Sequence, residues 1–503
     1  MNVKQSNLHI YNSLSGQKEK FEPIHEGRVG MYVCGPTLYS EPHMGNMRTF
    51  INFDMIYRYL LKLEYKVKYV RNITDAGHIT NSLGEAVDSI GAAARLEQMQ
   101  SLEIVYKYNV KFQELQRIYN LLPPSIEPTA TGHIQEQIEI IEKIIENGFA
   151  YAVNGSVYFD VRKYSEQYNY GILSGRKIDE LEEETRTLNA QEEKRFFADF
   201  ALWKKANPED MQIWRSPWGD GNPGWHIECT AMSTKYLGKQ FDIHGGGMDL
   251  QFPHHECEIA QSTVCNHVAP ANYWLHNNMI TINGKKMGKS YNNVIKLSEL
   301  FAGTHPILEQ AYAPNTVRFF ILQSHYRGTL DFSNEALIAA EKAAKRLWDA
   351  YEWLSKLQVS DATTAATDIE LDKKVNALVD DFGVFMSDDF STPKVLANMF
   401  ELVPIINGIK DKHTPINALS NSTVLHLQQS LKTYLEDIFG LVAPSAANTA
   451  VLDGVLQLLI EVRSQAKASK DFVTSDKIRN QLMALGIQLK DEKDGSVSYS
   501  VSN

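Results

Sequence analysis

The sequence predicts an α/β protein whose first part is built on a parallel sheet and whose last part is helical. Two observations near the start of the chain support the parallel sheet. The runs VGMYVC (29–34) and KVKYVRNIT (66–74) are rich in β-branched and aromatic residues, which is typical of strands. Between them, residues 46–63 place apolar side chains at helical spacing. Strand, helix and strand within about 45 residues indicate a βαβ unit, whose two strands are parallel.

The middle of the chain is predicted mainly from helical periodicity. Helical stretches are expected at 86–121 and 134–148, separated by the turn-like LLPPSIEP. The acidic, charge-dense run 176–195 is expected to be a solvated loop or a surface helix. After about residue 333 the chain changes to amphipathic helices, and the composition of residues 359–368 indicates a linker between two of them.

A polar break at 443–450 precedes a last small unit, in which a helix pair leads into the short strand IQLKD (487–491). The length of 503 residues favours two to four domains. The predicted domains are 1–332, with an insertion at about 120–225, then 333–445 and 446–503.

Composition limits the class of protein. Hydrophobic residues make up 43% and charged residues 22%, as in a soluble globular protein. No apolar run approaches about 18 residues and the start lacks a charged-then-apolar leader, so we expect no membrane span and a cytoplasmic location. Four cysteines argue against a disulfide scaffold. The net charge of −11 disfavours a surface that binds nucleic acid everywhere, but it permits a local basic groove.

The segment CGPTLYSEPHMGN (34–46) is the first candidate for chemistry. A strand ends at Cys34, and His43, Gly45 and Asn46 open the following helix. Free backbone N–H groups and the helix dipole bind anions at such a terminus. Gly45 would let a flat base or a phosphate approach the backbone, while His43 and Asn46 add polar groups. Taken alone, a segment of this kind is more often a plain βα turn.

The segment NGKKMGKS (283–290) is the second candidate. Its lysines, among them Lys286 and Lys289, suit phosphate groups and could stabilise charge that develops on them. Taken alone, it could be a solvated basic turn. Together and in this order, HMGN and KMGKS resemble the HIGH and KMSKS motifs of class I aminoacyl-tRNA synthetases. Gly288 departs from the serine of that motif, which should loosen the loop and removes a hydroxyl donor.

Four longer segments point to one family within that class. MYVCGPTLY, NPGWHIECTAM, DIHGGGMDLQFPHHECEIAQS and HYRGTLDFS resemble the cysteinyl-tRNA synthetase family, and the similarity runs from about residue 8 to 495. The resemblance implies a Rossmann-like catalytic domain with an insertion, a helical bundle and a C-terminal α+β anticodon-binding domain. It also implies one Zn²⁺ per chain, held by Cys34, Cys229, His254 and Glu258. Thiolate, imidazole and carboxylate are ligands that zinc favours.

In the stretch PHHECEIAQ (253–261), residue spacing alone does not decide which side chain binds a metal together with His254. His254 and Glu258 are i,i+4 neighbours on one helical face, but His254 and Cys257 are i,i+3 neighbours and equally able to meet. The resemblance selects Glu258, because the family generally has a non-ligating asparagine in place of Cys257. His226, His244 and His255 are expected to be hydrogen-bonding partners of the ligands.

The resemblance also implies substrate contacts. Thr74 and Trp225 match residues near bound cysteine, although AGHIT after Asp75 departs from the family pattern. In the last domain Asp476, Arg479 and Asp491 match residues that contact anticodon bases. Carboxylates and arginine can read the edges of unstacked bases. The family's usual tryptophan near the end is absent, and Tyr499 could stack on a base in its place.

The implied function is that of a cysteine–tRNA ligase. The enzyme would activate L-cysteine with ATP and Mg²⁺ and transfer it to tRNA(Cys), with His43, Gly45, Asn46, Lys286 and Lys289 at the ATP. Selectivity through the zinc–thiolate bond predicts no editing site, since losing a strong interaction can discriminate by about 10⁴–10⁵. A monomer is expected. Two alternatives stay open: a zinc-dependent ligase that joins cysteine to an amino sugar, as in mycothiol synthesis, and a non-catalytic protein that binds zinc and RNA.

Overall fold

The structure is a computed structural model that describes residues 7–76, 78–80, 86–177, 193–288, 291, 293–359, 366–443, 446–484, 487–491 and 497–501. The chain forms two compact units, Met1–Leu441 and Val442–Asn503, and each is described by itself. None of the helices within the described ranges is both long enough and apolar enough to cross a membrane.

The described strands and helices are labelled here in chain order. The strands are β1 His9–Asn12, β2 Gln17–Lys20, β3 Arg28–Val33, β4 Lys66–Arg71, β5 His78–Thr80, β6 Ala86–Asp88, β7 Ala150–Val153, β8 Ser156–Phe159, β9 Phe200–Lys205, β10 Gly221–Pro223, β11 Phe241–Gly247, β12 Ala271–Asn277, β13 Ile280–Ile282, β14 Lys285–Lys286, β15 Leu330–Phe332, β16 Ile487–Asp491 and β17 Val497–Val501. The α-helices are α1 Met44–Lys62, α2 Ser89–Glu97, α3 Ser101–Ile118, α4 Ile134–Glu146, α5 Val161–Ser165, α6 Trp225–Leu237, α7 Glu256–Asn266, α8 Leu297–Ala302, α9 Pro314–Leu322, α10 Asn334–Ser355, α11 Ile369–Ser387, α12 Thr392–Lys410, α13 Asn421–Lys432, α14 Ala446–Ala468 and α15 Phe472–Ala484.

The core of the first unit is a four-stranded parallel sheet with the order β12-β11-β3-β4. Met31 of β3 lies opposite Ile243 of β11 on one side and Tyr69 of β4 on the other. β3, α1 and β4 form the βαβ unit that the sequence predicts. Because all four strands run the same way, the loops that follow them meet at one edge, where α/β proteins bind their ligands.

Helix α1 is buried over most of its length and begins at Met44, with His43 as its N-cap residue. Its polar interior residues are buried with partners. Asp54 accepts hydrogen bonds from Arg58, at 2.8 Å, and from the buried Arg318 of α9. Arg318 also donates to the backbone oxygens of Tyr119 and Phe439. The helix is therefore held at its middle by charged groups as well as by apolar packing.

The predicted helical stretch 86–121 was wrong in detail. It begins with strand β6 and then forms two helices, α2 and α3, with a break at Gln98. Gln98 has a φ of 55°, a left-handed conformation that cannot continue a right-handed helix, and Glu103 then caps the backbone N–H of Gln100 at the start of α3. The helix predicted at 134–148 is present as α4.

Between α4 and α6 the chain builds a separate antiparallel sheet with the order β10-β9-β8-β7. Phe159 and Phe200 stack between neighbouring strands at a centroid distance of 4.8 Å. This sheet lies within the range that the sequence assigns to an insertion. Most of the acidic run 176–195 lies outside the described residues, which stop at 177 and resume at 193.

Helices α10 to α13 follow the parallel sheet in the chain, as the sequence predicts, and the linker residues 360–365 lie outside the described ranges. The second unit contains the helices α14 and α15 and the antiparallel hairpin β16–β17, around Leu456, Leu482 and Ile487. Helix α14 begins at Ala446, inside the predicted polar break 443–450. Alanine has the highest helix propensity, which outweighs the polar residues there.

Candidate active site

The candidate site lies where the parallel strands of the first unit end. Cys34 directly follows β3, Thr74 follows β4, and His244 lies within β11. Helices α6 and α7 cover this edge and bring Cys229 and Glu258 to it. Residues far apart in sequence thus converge because the topology places all strand ends together.

The four side chains predicted as metal ligands lie in one buried cluster. The ligand atoms of Cys34, Cys229, His254 and Glu258 are all within 4.8 Å of one another. Cys34 Sγ lies 4.0 Å from Cys229 Sγ and 3.9 Å from Glu258 Oε1, and His254 Nε2 lies 3.2 Å from that same oxygen. Ligands at about 2.0–2.3 Å from a tetrahedral zinc are about 3.3–3.8 Å apart, so the cluster fits zinc in both donor type and spacing.

A second set of ligands shares two of these residues. Cys34, His244, His255 and Glu258 also place their ligand atoms within 4.8 Å of one another. His255 Nε2 is 3.3 Å from Cys34 Sγ, and His244 Nε2 is 2.9 Å from Glu258 Oε2. This set offers one sulfur whereas the first offers two, and soft thiolate ligands select zinc over harder cations. The first set is therefore the better zinc site.

Buried histidines surround the cluster in hydrogen-bonded pairs. His226 Nδ1 is 2.9 Å from His254 Nδ1, and His255 Nδ1 is 2.8 Å from His276 Nε2. Because Nδ1 of His254 is engaged, its Nε2 is the nitrogen that faces Glu258. His226, His244 and His255 all contact residues of the predicted ligand set, as the sequence suggested. His276, which sequence reasoning missed, carries no local signal besides its position at the end of a strand.

Burial sets the protonation of the ligands. It raises the pKa of Cys34 to about 11 and lowers the pKa of His254 far below its ordinary value. Without a cation, the thiol is therefore protonated at neutral pH and the imidazole is neutral. Neutral imidazole is already the form that binds metals, whereas the thiol must release a proton on binding one.

Cys257 lies away from the cluster. Its sulfur is 3.6 Å from the hydroxyl of Tyr170, and it packs in the apolar core of the insertion, separate from the core that contains Cys34 and Cys229. The preceding turn, Gln251–His255, is kinked at Phe252, which has extended backbone angles. Gly246 permits the approach of this turn, because a Cβ there would lie 2.9 Å from the His255 ring.

The HMGN and KMGKS segments lie against each other. A Cβ at Gly45 would be 2.9 Å from the terminal methyl of Met287. The backbone N–H of Met44 donates to Ile295 O at 3.3 Å, which joins the start of α1 to the chain after KMGKS. His43 Nδ1 accepts the N–H of Gly45 and Asn46 Oδ1 accepts the N–H of His43. A neutral His43 ring therefore carries its proton on Nε2, where it can donate to an anion.

Lys286 is exposed at the end of β14, while Lys289 lies outside the described residues. Asn293 braces the loop between them: Gly288 N–H donates to Asn293 Oδ1 at 2.9 Å, and Asn293 Nδ2 donates to Lys286 O at 3.0 Å. The side-chain amide of Asn293 thus holds the part of the loop between Lys286 and Gly288. From the sequence, Gly288 was expected to loosen this loop.

Comparisons with known proteins decide the family. A family model described as tRNA synthetases class I (C) catalytic domain matches residues 20–342, and a DALR domain model matches residues 376–443. The cysteine–tRNA ligase of Porphyromonas gingivalis is 50% identical over 492 residues, 97% of this chain and 98% of that protein. That of Bacteroides fragilis is 51% identical over 491 residues with the same coverage. The chain belongs to the cysteine–tRNA ligase family.

Membership of the cysteine–tRNA ligase family confirms the predicted class I synthetase fold and enzyme class. A methionyl-tRNA synthetase of Mycobacterium tuberculosis, solved in complex with methionyl-adenylate, shares the fold with a TM-score of 0.54. That likeness covers 82% of this chain and 89% of the other at 12% identity. The non-catalytic zinc and RNA-binding alternative has no support in these comparisons.

The residues expected near cysteine adjoin the cluster. The half-buried Trp225 ring lies 4.4 Å from the His254 ring, between centroids. Thr74 Oγ1 donates to Glu228 Oε2 at 3.0 Å, and Asn72 Nδ2 donates to Thr74 Oγ1 at the same distance. Sequence reasoning missed the buried Glu228, although it directly precedes the ligand Cys229. Burial raises the pKa of Glu228 well above its ordinary value.

The residues expected at the anticodon lie in the second unit. Asp476 and Arg479 are exposed on α15 and form an ion pair of 3.2 Å. Asp491 is the last residue of β16, in register with Val497 of β17, and Tyr499 lies opposite Leu489.

Proposed function

We propose that this chain activates L-cysteine with ATP and transfers it to tRNA(Cys). The observation that supports this most is the buried cluster of two thiols, an imidazole and a carboxylate in the same unit as the paired HMGN and KMGKS segments. The buried cluster contains ligands suited to a metal that binds a thiol. The HMGN and KMGKS segments contain cationic and N–H groups suited to binding a triphosphate. Family membership supports the same reaction.

In the first step the carboxylate of cysteine attacks the α-phosphate of ATP, giving cysteinyl-adenylate and pyrophosphate. His43 donates from Nε2 to phosphate oxygen, and Asn46 holds His43 at the start of α1, whose dipole favours negative charge. Gly45 leaves room for the nucleotide, while Lys286 and Lys289 neutralise the phosphates. Mg²⁺ would accompany ATP and offset part of its charge.

Selection of cysteine depends on the buried cluster. Cys34, Cys229, His254 and Glu258 would hold Zn²⁺, which when bound supplies a Lewis acid that prefers a thiolate to a hydroxyl. Trp225 forms an apolar wall beside His254, and Thr74, fixed by Glu228 and Asn72, positions the rest of the amino acid. Rejection of serine at this stage removes the need for an editing site.

In the second step the terminal adenosine of tRNA(Cys) attacks the adenylate, and the ester forms as AMP leaves. Positioning of the two reactants contributes most of the rate, because no covalent enzyme intermediate is required. Asp476, Arg479 and Asp491 read the anticodon from the second unit by hydrogen bonds to base edges.

Cysteine-dependent exchange of pyrophosphate into ATP tests this proposal. Purified, zinc-loaded protein is expected to catalyse the exchange with cysteine and to lose it when serine replaces cysteine. A chain without any exchange activity would contradict the proposal. Charging of tRNA(Cys), compared with transfer of cysteine to glucosaminyl-inositol, then separates a tRNA ligase from the mycothiol-type ligase.

A further inference from the structure

A groove lies on the helical part of the first unit, and none of its lining residues belongs to the candidate active site. It is a cavity of about 380 Å³ between α10 and the C-terminal end of α12. Four cationic side chains line it: Lys342, Lys345, Arg346 and Lys410. All four are exposed, and Asn407 adds a half-buried amide.

The groove carries an excess of positive charge in a chain whose formal net charge is −11. Only two acidic residues line it, Asp349 and Asp411. Asp349 is paired with Lys345 at 2.9 Å. Within the described part of the chain, the ammonium groups of Lys342 and Lys410 and the guanidinium of Arg346 have no ion pair or hydrogen bond.

The unpaired cations on α10 are not explained by a contribution to the stability of that helix. Lys342 and Arg346 are i,i+4 neighbours on one face, and like charges at that spacing destabilise a helix. Other lysines of this segment pair with an acidic residue at this spacing: Lys345 with Asp349 at the groove itself, and Lys356, the C-cap residue of α10, with Glu352. Three of the four cations that line the groove, Lys342, Arg346 and Lys410, are thus left without an acidic partner among the described residues.

We propose that this groove binds the phosphodiester backbone of the tRNA substrate. The inference rests on the proposed function, since that function supplies the polyanion. Arginine matches phosphate geometry with a two-pronged donor, lysines supply point charges and the amide of Asn407 can donate to a phosphate or a ribose. An open, polar groove suits a backbone that stays hydrated. In sequence, the groove residues come after the residues proposed to activate cysteine and before the unit proposed to read the anticodon. One tRNA molecule must reach both of these sites.

A triple variant with Lys342→Gln, Arg346→Gln and Lys410→Gln tests the groove. The matched control is Lys356→Gln, Lys373→Gln and Lys394→Gln, which removes the same charge from exposed lysines paired with Glu352, Glu370 and Asp388. Binding of tRNA(Cys) is measured across a range of salt concentrations, and cysteine-dependent ATP–pyrophosphate exchange is measured without tRNA.

The groove triple is expected to bind tRNA about tenfold or more weakly and to reduce the salt-dependence slope by about 3, because each lost phosphate contact removes about 1. The control triple should change neither quantity by a comparable amount, and both triples should retain wild-type exchange. If the groove triple matches the control triple in tRNA affinity and in salt-dependence slope, the proposal is overturned. That result would be expected if the groove binds an acidic protein and not tRNA. Absence of exchange in the wild type would instead contradict the proposed function.

Discussion

At the scale of single residues, the contrast between Cys257 and Glu258 shows what decides a ligand. Thiolate is the softer ligand, yet Cys257 faces Tyr170 in the insertion core while Glu258 faces Cys34 and His254. Adjacent residues of a helix point about 100° apart, so only one of them can face the cluster.

Zinc content distinguishes these two residues. Glu258→Gln is expected to lose or weaken zinc, because it replaces an anionic ligand with a neutral amide. Cys257→Ala should retain nearly one zinc per chain. Elemental analysis of the purified variants, in parallel with the wild type, measures both. Full zinc in the first variant together with loss in the second would reverse the assignment.

The two overlapping sets of ligands around Cys34 and Glu258 can be separated in the same way. His254→Asn should lower zinc affinity by more than about 100-fold, since it removes a ligand of the favoured set and loss of an outer hydrogen-bonding partner alone costs about 10- to 100-fold. His244→Asn should keep the zinc bound, with at most the smaller effect of a lost hydrogen bond to Glu258. Competition with a chromogenic chelator gives the affinities. The opposite order would favour the set of Cys34, His244, His255 and Glu258.

At the scale of elements, the contact between α1 and the KMGKS loop joins two segments more than 200 residues apart. Gly45→Ala would place a methyl group 2.9 Å from the end of Met287 and 3.1 Å from the His43 ring. The flexible end of Met287 and the His43 ring must move away, and misplacement of a catalytic group by about 1 Å can cost up to about 100-fold in rate. We expect ATP–pyrophosphate exchange to fall by about tenfold while the melting temperature changes little.

Gly383→Ala on α11 is the matched control for Gly45→Ala. A Cβ at Gly383 meets nothing closer than the hydroxyl of Tyr434 at 3.5 Å. That variant should retain exchange activity and match or exceed the wild type in stability, since alanine is the better helix former. Equal exchange rates in the two variants would show that the contact at Gly45 does not matter for activation.

The predicted elements agree best with the structure where periodicity and turn residues point the same way. The βαβ unit and the helices after 333 have strong apolar spacing and are present. The antiparallel strands β7 to β10 were not predicted individually, because they are short and alternate weakly between buried and exposed residues. The break at Gln98 depends on one left-handed residue, which carries no distinctive sequence signal.

At the scale of the whole molecule, we propose cysteine activation for the first unit and anticodon reading for the second. Asp476→Asn combined with Arg479→Gln should lower kcat/KM for tRNA(Cys) by about tenfold or more, as expected for losing contacts worth about 1–3 kcal/mol each. Exchange without tRNA should be unchanged. Glu461→Gln, an exposed change on α14 of the same unit, is the control. A variant pair that charges tRNA normally would contradict the anticodon assignment.

The sequence by itself determined the family, the parallel-sheet class and the identity of the candidate ligands, because long motifs and helical periodicity are local properties of the chain. Only the tertiary structure showed the second set of possible ligands, Cys34, His244, His255 and Glu258. It alone also showed the close approach of Gly45 and Met287 and the unpaired cations between α10 and α12. Each of these depends on side chains from segments distant in sequence that meet after packing. A pattern of neighbouring residues cannot encode a distance between two helices or two loops.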